Sequence, residues 1–351
     1  MTHPVSMVQL ADVARRAGVS TATVSRVLNH PERVSPAARE RVRAAMAELG
    51  YLRDGAARAL ASRRSFAVGS VVPTLGIGIF AAGTECLQRR LQAAGYQLLI
   101  ATSEYDEAQE VEAVRSLIER GVDALALVGH AHAPEIERLL RARGLPYVCT
   151  YRFEADDPHP SIGFDNRRSA VALMNHLLDL GHREIGVITS TVRGNDRIAA
   201  RVEGLLAALA ARGLALPPSR LVEVPHSVTE GRTAAATLLR RHPEITAICA
   251  TADALALGAC FELQAQGRRV PEEISVAGYD DLEIGRHLQP GLTSVHIPVE
   301  EIGERVADYL LAAIEGRDPP AKCELRAELV IRGSTAPPPH PNPSPTRGEG
   351  L

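Results

Sequence analysis

The chain has 351 residues, with 39 Lys+Arg against 42 Asp+Glu and 45% hydrophobic residues. These values exclude a disordered, fibrous or broadly polycationic protein and leave room for two or three cores. The near-neutral total hides an asymmetry: residues 1–66 carry eleven arginines against five acids, leaving 28 basic against 37 acidic residues in the remainder. A basic segment on an acidic body is the distribution expected of a small nucleic-acid-binding head on a separate globular domain.

Residues 1–10 lack the basic start and apolar core of a secretory signal, and Met7 is a second candidate start. An apolar stripe of Leu10, Val13, Ala14 and Ala17 then stops at Gly18, and Ser20 caps a helix over 21–28 with Val24, Val27 and Leu28 inward. A third helix opens at Ser35-Pro36, runs through Val42, Ala45, Met46 and Leu49, and ends at Gly50. The first two helices have helix-turn-helix spacing, with Ala14 small at their crossing and Gly18 at the turn. Thr21, Ala22 and Arg26 are left outward, where side chains reach major-groove base edges. Arg26 has paired donors for a guanine, Thr21 a hydroxyl for a base or phosphate, and Ala22 a methyl for a thymine. After Asp54-Gly55, the alanine-rich run 56–62 is too short to hold a helix alone, so its order depends on a partner.

From Phe66 onward β-branched runs alternate with amphipathic helices. Strands are expected over 68–72, 97–101, 124–128, 147–150, 184–188, 221–224, 247–250 and 275–278, and helices over 86–94, 108–120, 136–143, 169–180, 198–212, 231–241 and 254–266. This order predicts two doubly wound parallel-sheet lobes with a ligand cleft between them, at the carboxyl ends of their strands. No charge occurs between Arg64 and Glu85, but Gly69, Pro73, Gly76, Gly78 and Gly83 interrupt the stretch, which reads as a strand and glycine-rich turn instead of a membrane span. The tail from Pro337 is rich in proline and small polar residues and is expected to be disordered.

Five scattered cysteines without a C-x-x-C argue for buried thiols in a reducing compartment, and neither a disulfide framework nor a structural zinc site is expected. The competing enzyme reading rests on Gly76-Ile77-Gly78-Ile79-Phe80-Ala81, which imitates a dinucleotide fingerprint with Glu104 as its ribose acid. Its glycines come late, after Pro73-Thr74-Leu75, and no P-loop, H-E-x-x-H or G-x-S-x-G is present. His130 and His132 lie close together at a strand end without a carboxylate at ligand spacing, so neither a metal nor a cofactor is expected.

The phrase Val19-Ser20-Thr21-Ala22-Thr23-Val24-Ser25-Arg26-Val27-Leu28-Asn29, with Val34-Ser35 and Glu48-Leu49-Gly50-Tyr51, resembles the headpiece signature of the lactose-repressor (LacI) family of bacterial transcription regulators. The resemblance implies an α-helical helix-turn-helix headpiece (1–53), a hinge helix (54–65), an α/β two-lobed periplasmic-binding-protein-like sensor domain (66–335) and a tail (336–351). It implies a cytoplasmic homodimeric repressor, not an enzyme, on a pseudo-palindromic operator, with Ser20, Thr23 and Asn29 beside the outward residues and Leu60 wedged into the minor groove. Gly181-His182-Arg183-Glu184-Ile185-Gly186, Arg201-Val202-Glu203-Gly204 and Gly278-Tyr279-Asp280-Asp281 resemble the family's effector-domain phrases. By that likeness Asn195, Arg197, Arg201, Asp165 and Asp280, walled by Phe80 and His226, hold a small polar effector such as a sugar or sugar acid. Many sugar-responsive members carry Asn-Asp where Ala252-Asp253 stands here, and the chain has no tryptophan, so any aromatic floor falls to Phe or Tyr.

Overall fold

Three capped α-helices and a short 3-10 turn (Pro31–Arg33) hold most of the described residues of the first unit. The structure is a computed structural model that describes residues 8–52, 62 and 64–339, and the chain divides at Ser65/Phe66 into two units. α1 (Leu10–Ala17) ends at Gly18 with φ +64°, α2 (Thr21–Asn29) starts where the Ser20 hydroxyl accepts the Thr23 N–H, and α3 (Pro36–Leu49) ends at Gly50 with φ +63°. Glycine pays no Cβ penalty in these left-handed caps. Val13, Ala14, Ala17, Val24, Val27, Val42 and Ala45 form the core, as the stripe predicts. The alanine-rich run 56–62, with Leu60, and the segment 340–351 lie outside the described residues, Ser62 excepted.

The second unit has two parallel sheets. The first runs β11-β5-β4-β3-β1-β2 and the second β7-β6-β8-β9. Their strands are β1 (Ala67–Val72), β2 (Gln97–Thr102), β3 (Ala124–Val128), β4 (Tyr147–Thr150), β5 (Ser161–Gly163) and β11 (Lys322–Glu324), then β6 (Ile185–Ser190), β7 (Leu221–Val224), β8 (Ala247–Ala250) and β9 (Ser275–Ala277). A small antiparallel pair joins β10 (Ser294–His296) to β12 (Glu328–Val330). Helices α4 (Gly78–Ala93), α5 (Glu107–Glu119), α6 (Pro134–Arg143), α7 (Asn166–Asp179), α8 (Asp196–Ala211), α9 (Val228–Arg241), α10 (Asp253–Ala265), α11 (Glu283–Arg286) and α12 (Val299–Ile314) cover the faces. In β3, Ala124 and Ala126 face one core while Leu125 and Leu127 face another, the two-sided burial that makes a parallel strand read as continuously apolar.

The chain passes between the lobes three times: after β5, before α12, and between β11 and β12. Sequence pattern missed these returns because the strands concerned are three residues long, too short for a period-two signal, and their partners are remote: Lys322 pairs with Ser161. α12 was also missed. α4 begins eight residues before the expected Cys86, because Gly78 and Gly83 belong inside it. Gly83 is a point of close approach: a Cβ there would lie 2.0 Å from the Tyr151 hydroxyl. Ala336 belongs to the body and not to a loose tail, since its N–H bonds Ser275 Oγ and its carbonyl accepts from buried His182. Among the described residues no helix is long and apolar enough to cross a membrane.

Gly303 on α12 faces Gly83, and a Cβ would stand 2.5 Å from the Gly83 carbonyl oxygen and 2.8 Å from the Cys86 Cβ. Gly303→Val is therefore expected to destabilise the second unit by about 1–3 kcal/mol through overpacking. The measurement is the urea midpoint of the isolated variant against the native chain, with operator-independent folding of α1–α3 followed by amide signals.

Candidate functional site

On the head, Ser20, Thr21, Ala22, Arg26 and Asn29 are exposed and Thr23 is half-buried. The Arg26 guanidinium makes no hydrogen bond or ion pair among the described residues, so its donors are available to an incoming acceptor. Ser20 caps α2, with its Oγ 3.1 Å from the Thr23 backbone nitrogen and 2.9 Å from the Thr23 hydroxyl. Arg16 is occupied, donating through Nε to Glu48 at 2.9 Å and tying α1 to α3.

In the second unit, both sheets reverse their strand order at the first strand, β1 and β6 respectively. Loops leaving neighbouring strands at such a point part and open a crevice. A cavity lies there, lined by Ile77, Ile79 and Phe80 after β1, Tyr105 after β2, Tyr151 after β4, Asn195, Arg197, Ile198 and Arg201 after β6, His226 after β7 and Asp280 after β9. Every lining segment thus leaves the carboxyl end of a parallel strand.

Arg201 is the hub. Its Nε donates to Asn166 Oδ1 at 3.0 Å, its Nη1 to the Thr251 carbonyl at 2.8 Å and to Asp280 Oδ1 at 3.2 Å, and its guanidinium carbon sits 3.7 Å over the Tyr279 ring. Asn166 completes the frame by donating to the Tyr151 carbonyl, so one amide spans the two lobes. Burial pushes the Asp280 carboxyl up to about 6 even though Arg201 pulls it down. Asp280 is held at φ +113°, a region that L residues rarely adopt. Asp253 beneath it keeps the turn in place, accepting from Ser294 Oγ and the Leu282 N–H, each at 2.7 Å. Burial first, and then the Asp280 charge, raise Asp253 to about 8, so it is a neutral strut outside the cavity. His226, with Nδ1 3.1 Å from Ser190 Oγ, is lowered to about 4 by burial and then by Arg201, and presents a neutral ring.

Six of the seven residues expected at the effector site, Phe80, Asn195, Arg197, Arg201, His226 and Asp280, meet in this cavity. Asp165 does not line it: its carboxylate accepts the Arg168 N–H at 2.8 Å and starts α7, while the next residue, Asn166, reaches Arg201. Tyr105 and Tyr151 were missed, although the lack of tryptophan had left the aromatic walls to Phe or Tyr. They stand at φ +61° and +63°, and no sequence rule marks a tyrosine for that region. Phe80 packs edge-on against Tyr151 at 5.2 Å. The fingerprint-like phrase 76–81 supplies apolar wall through Ile77, Ile79 and Phe80.

A helix, α5, and a loop remote in sequence bring carboxylates to both histidines that lacked one nearby. Glu110 lies 2.9 Å from His132 Nδ1 and Asp157 lies 3.0 Å from His130 Nδ1. The donor atoms of His130, Glu154 and Asp157 fall within 4.8 Å of one another, but Arg152 pairs with Glu154 and Lys322 Nζ bonds the Glu154 carbonyl, so two cations already hold the position.

Residues 9–54 match the family described as bacterial regulatory proteins, lacI family, and residues 174–335 match the periplasmic binding protein-like domain. The HTH-type transcriptional regulator GntR of Escherichia coli (strain K12) is 33% identical over 326 residues, which cover 93% of this chain and 98% of that protein. Among solved structures, the lac repressor dimer bound to operator and the anti-inducer ONPF aligns with a TM-score of 0.84 at 27% identity over 94% of this chain and 99% of that one. The transcriptional regulator CelR–cellobiose complex aligns with a TM-score of 0.69 at 30% identity over 93% and 99%. A signature head, a two-lobed body and relatives aligned over nearly their whole length leave one conclusion: the chain belongs to the lacI family of bacterial regulatory proteins, whose members are DNA-binding transcription regulators and not enzymes.

Proposed function

We propose that the protein is a cytoplasmic homodimeric repressor that binds a pseudo-palindromic operator through α2 and releases or grips it according to a sugar or sugar derivative held between the lobes. The observation that carries this reading is the presence, on one chain, of an exposed Arg26 that is unpaired among the described residues and of a cavity in which Arg201 and Asp280 stand side by side. A polyhydroxylated ligand fits that pair because each hydroxyl both donates and accepts. Arg197 spends one N–H on Asp196 at 3.1 Å and lines the cavity, which favours a derivative bearing a carboxylate. The operator-bound lac repressor dimer and the cellobiose complex of CelR support the same division of labour. A ligand that prefers one lobe arrangement shifts operator affinity by its differential binding, about 1–3 kcal/mol for typical coupling.

The deciding experiment is selection of genomic fragments by the purified full chain. Enrichment of a few near-palindromic sites, next to genes that suggest the effector class, is expected; recovery of random fragments would sink the reading. On the selected site, Arg26→Ala should lose about 1–3 kcal/mol at one base position and relax specificity there, whereas Arg15→Ala should weaken all sequences alike. Asp280→Asn should leave operator affinity unchanged and abolish the effector response, as measured by fluorescence anisotropy.

Protonation adds two expectations. Burial holds the Asp280 carboxyl up at about 6, so effector affinity of the native chain should fall several-fold as pH drops from about 7.5 to 5, by calorimetry, because protonation removes the charge that strengthens its acceptance and turns one oxygen into a donor. His226 stays neutral in the fold down to about 4, while in the unfolded chain it takes up a proton near 6.5, so its contribution is present above 6.5 and lost as pH falls toward 4. His226→Gln should remove on the order of 1 kcal/mol of the stability lost between pH 7 and 5, after allowance for solvent in the cleft, by urea unfolding.

A further inference from the structure

Asp196 opens α8 in the second lobe, between the cavity residues Asn195 and Arg197, but its own carboxylate turns to the first lobe. Oδ2 accepts the backbone N–H of His130 at 2.7 Å and of Ala131 at 3.2 Å, in the loop after β3, and pairs with Arg152 Nη1 at 3.0 Å, after β4. Oδ1 accepts Arg197 Nη1 at 3.1 Å. Gly129 makes this approach possible. Its φ is +90°, and a Cβ there would stand 2.3 Å from Arg197 Nη1 and 2.7 Å from Asp196 Oδ1. The lobes touch again nearby, where a Cβ on Gly194 would lie 3.0 Å from the Tyr105 carbonyl oxygen.

We propose that Asp196 is the positioning residue that latches the two lobes together and sets Arg197 in the cavity, with Gly129 as its counterpart in the opposite lobe. One carboxylate receives two backbone N–H groups and two guanidinium groups, and three of these four donors come from loops or strands near the cleft whose positions relative to α8 change if the lobes part: His130, Ala131 and Arg152. Opening the cleft strips Asp196 of those three while Arg197, its neighbour on α8, keeps it company. Because charge-assisted bonds in a water-poor site are lost together, the latch favours two arrangements over a continuum. A ligand that recruits the remaining Arg197 N–H groups binds the latched arrangement best. That last step rests on the effector-site reading; the latch does not.

The test uses the full ligand-free chain, so it is independent of the identity of the effector. Hydrogen exchange of the 130–131 amides and small-angle scattering are compared for native protein, Asp196→Ala, Asp196→Asn and Gly129→Ala. Expected are about tenfold or faster exchange at 130–131 and at the cavity segment 77–80, with a larger radius of gyration, in both alanine variants, and an intermediate effect in Asp196→Asn, whose amide oxygen still accepts the two N–H groups. A carboxylate that merely favours the start of α8 would lower the melting temperature of the Asp196 variants and leave their 130–131 exchange and radius of gyration native. Native exchange and native radius in folded Gly129→Ala and Asp196→Asn would overturn the latch. If Asp196→Ala fails to fold, those two variants decide the matter.

Discussion

Everything in the candidate cavity depends on one buried cation. Arg201 is almost fully removed from water, and a guanidinium so placed is tolerable only when its N–H groups are answered. The answers come from four directions: an amide at the start of α7, a carbonyl after β8, a carboxylate after β9 and an aromatic face beside that carboxylate. Each answering group lies at the junction of a strand end with the cleft, so satisfying Arg201 organises the loops that surround it. The Tyr279 hydroxyl, 2.5 Å from Ser169 Oγ, carries the network one step further into α7.

The loops hold this geometry against local preference. Asp280, Tyr105 and Tyr151 all have positive φ, which costs energy for residues with a Cβ and persists only when packing over-determines it. Asp253 supplies that constraint at Asp280, and the Tyr151 hydroxyl supplies it at Tyr151 by donating to the Ile79 carbonyl across the space that Gly83 leaves open. Strain at the cavity and glycine-lined contact behind it are thus two parts of one arrangement, in which a small shift at a wall residue is felt in helix packing. Close-packed interfaces of this kind jump between arrangements instead of deforming smoothly.

The charge asymmetry acquires a place in the same account. Basic residues concentrated in the first 66 positions include an Arg26 with open donors, while Arg16 is consumed by Glu48 in holding α1 to α3. In the body, arginines are largely paired: Arg220 with Glu184 and Glu244, Arg332 and Arg286 with Asp281. A body whose cations are spent internally offers little to a phosphate backbone, which leaves the electrostatic pull to the head.

The parts that rest on local physics are legible in the sequence: helix starts at Ser20 and Ser35-Pro36, helix stops at Gly18 and Gly50, and, β5 apart, the strand and helix alternation through Ser275. Likeness to a family then named six residues that line the cavity, because loops leave the same strand ends wherever that fold occurs. Contacts remote in sequence settle the rest: Asn166, and not Asp165, reaches Arg201, Tyr105 and Tyr151 form walls, α4 begins at Gly78 and Asp196 faces the opposite lobe. Those outcomes depend on pairs far apart in the chain, such as Asp196 with His130 and Gly83 with Gly303, whose meeting is set by the three crossings between lobes. Periodicity and capping report on a residue's neighbours in sequence; contact across a cleft is a property of how two completed sheets are held, and no window of sequence contains it.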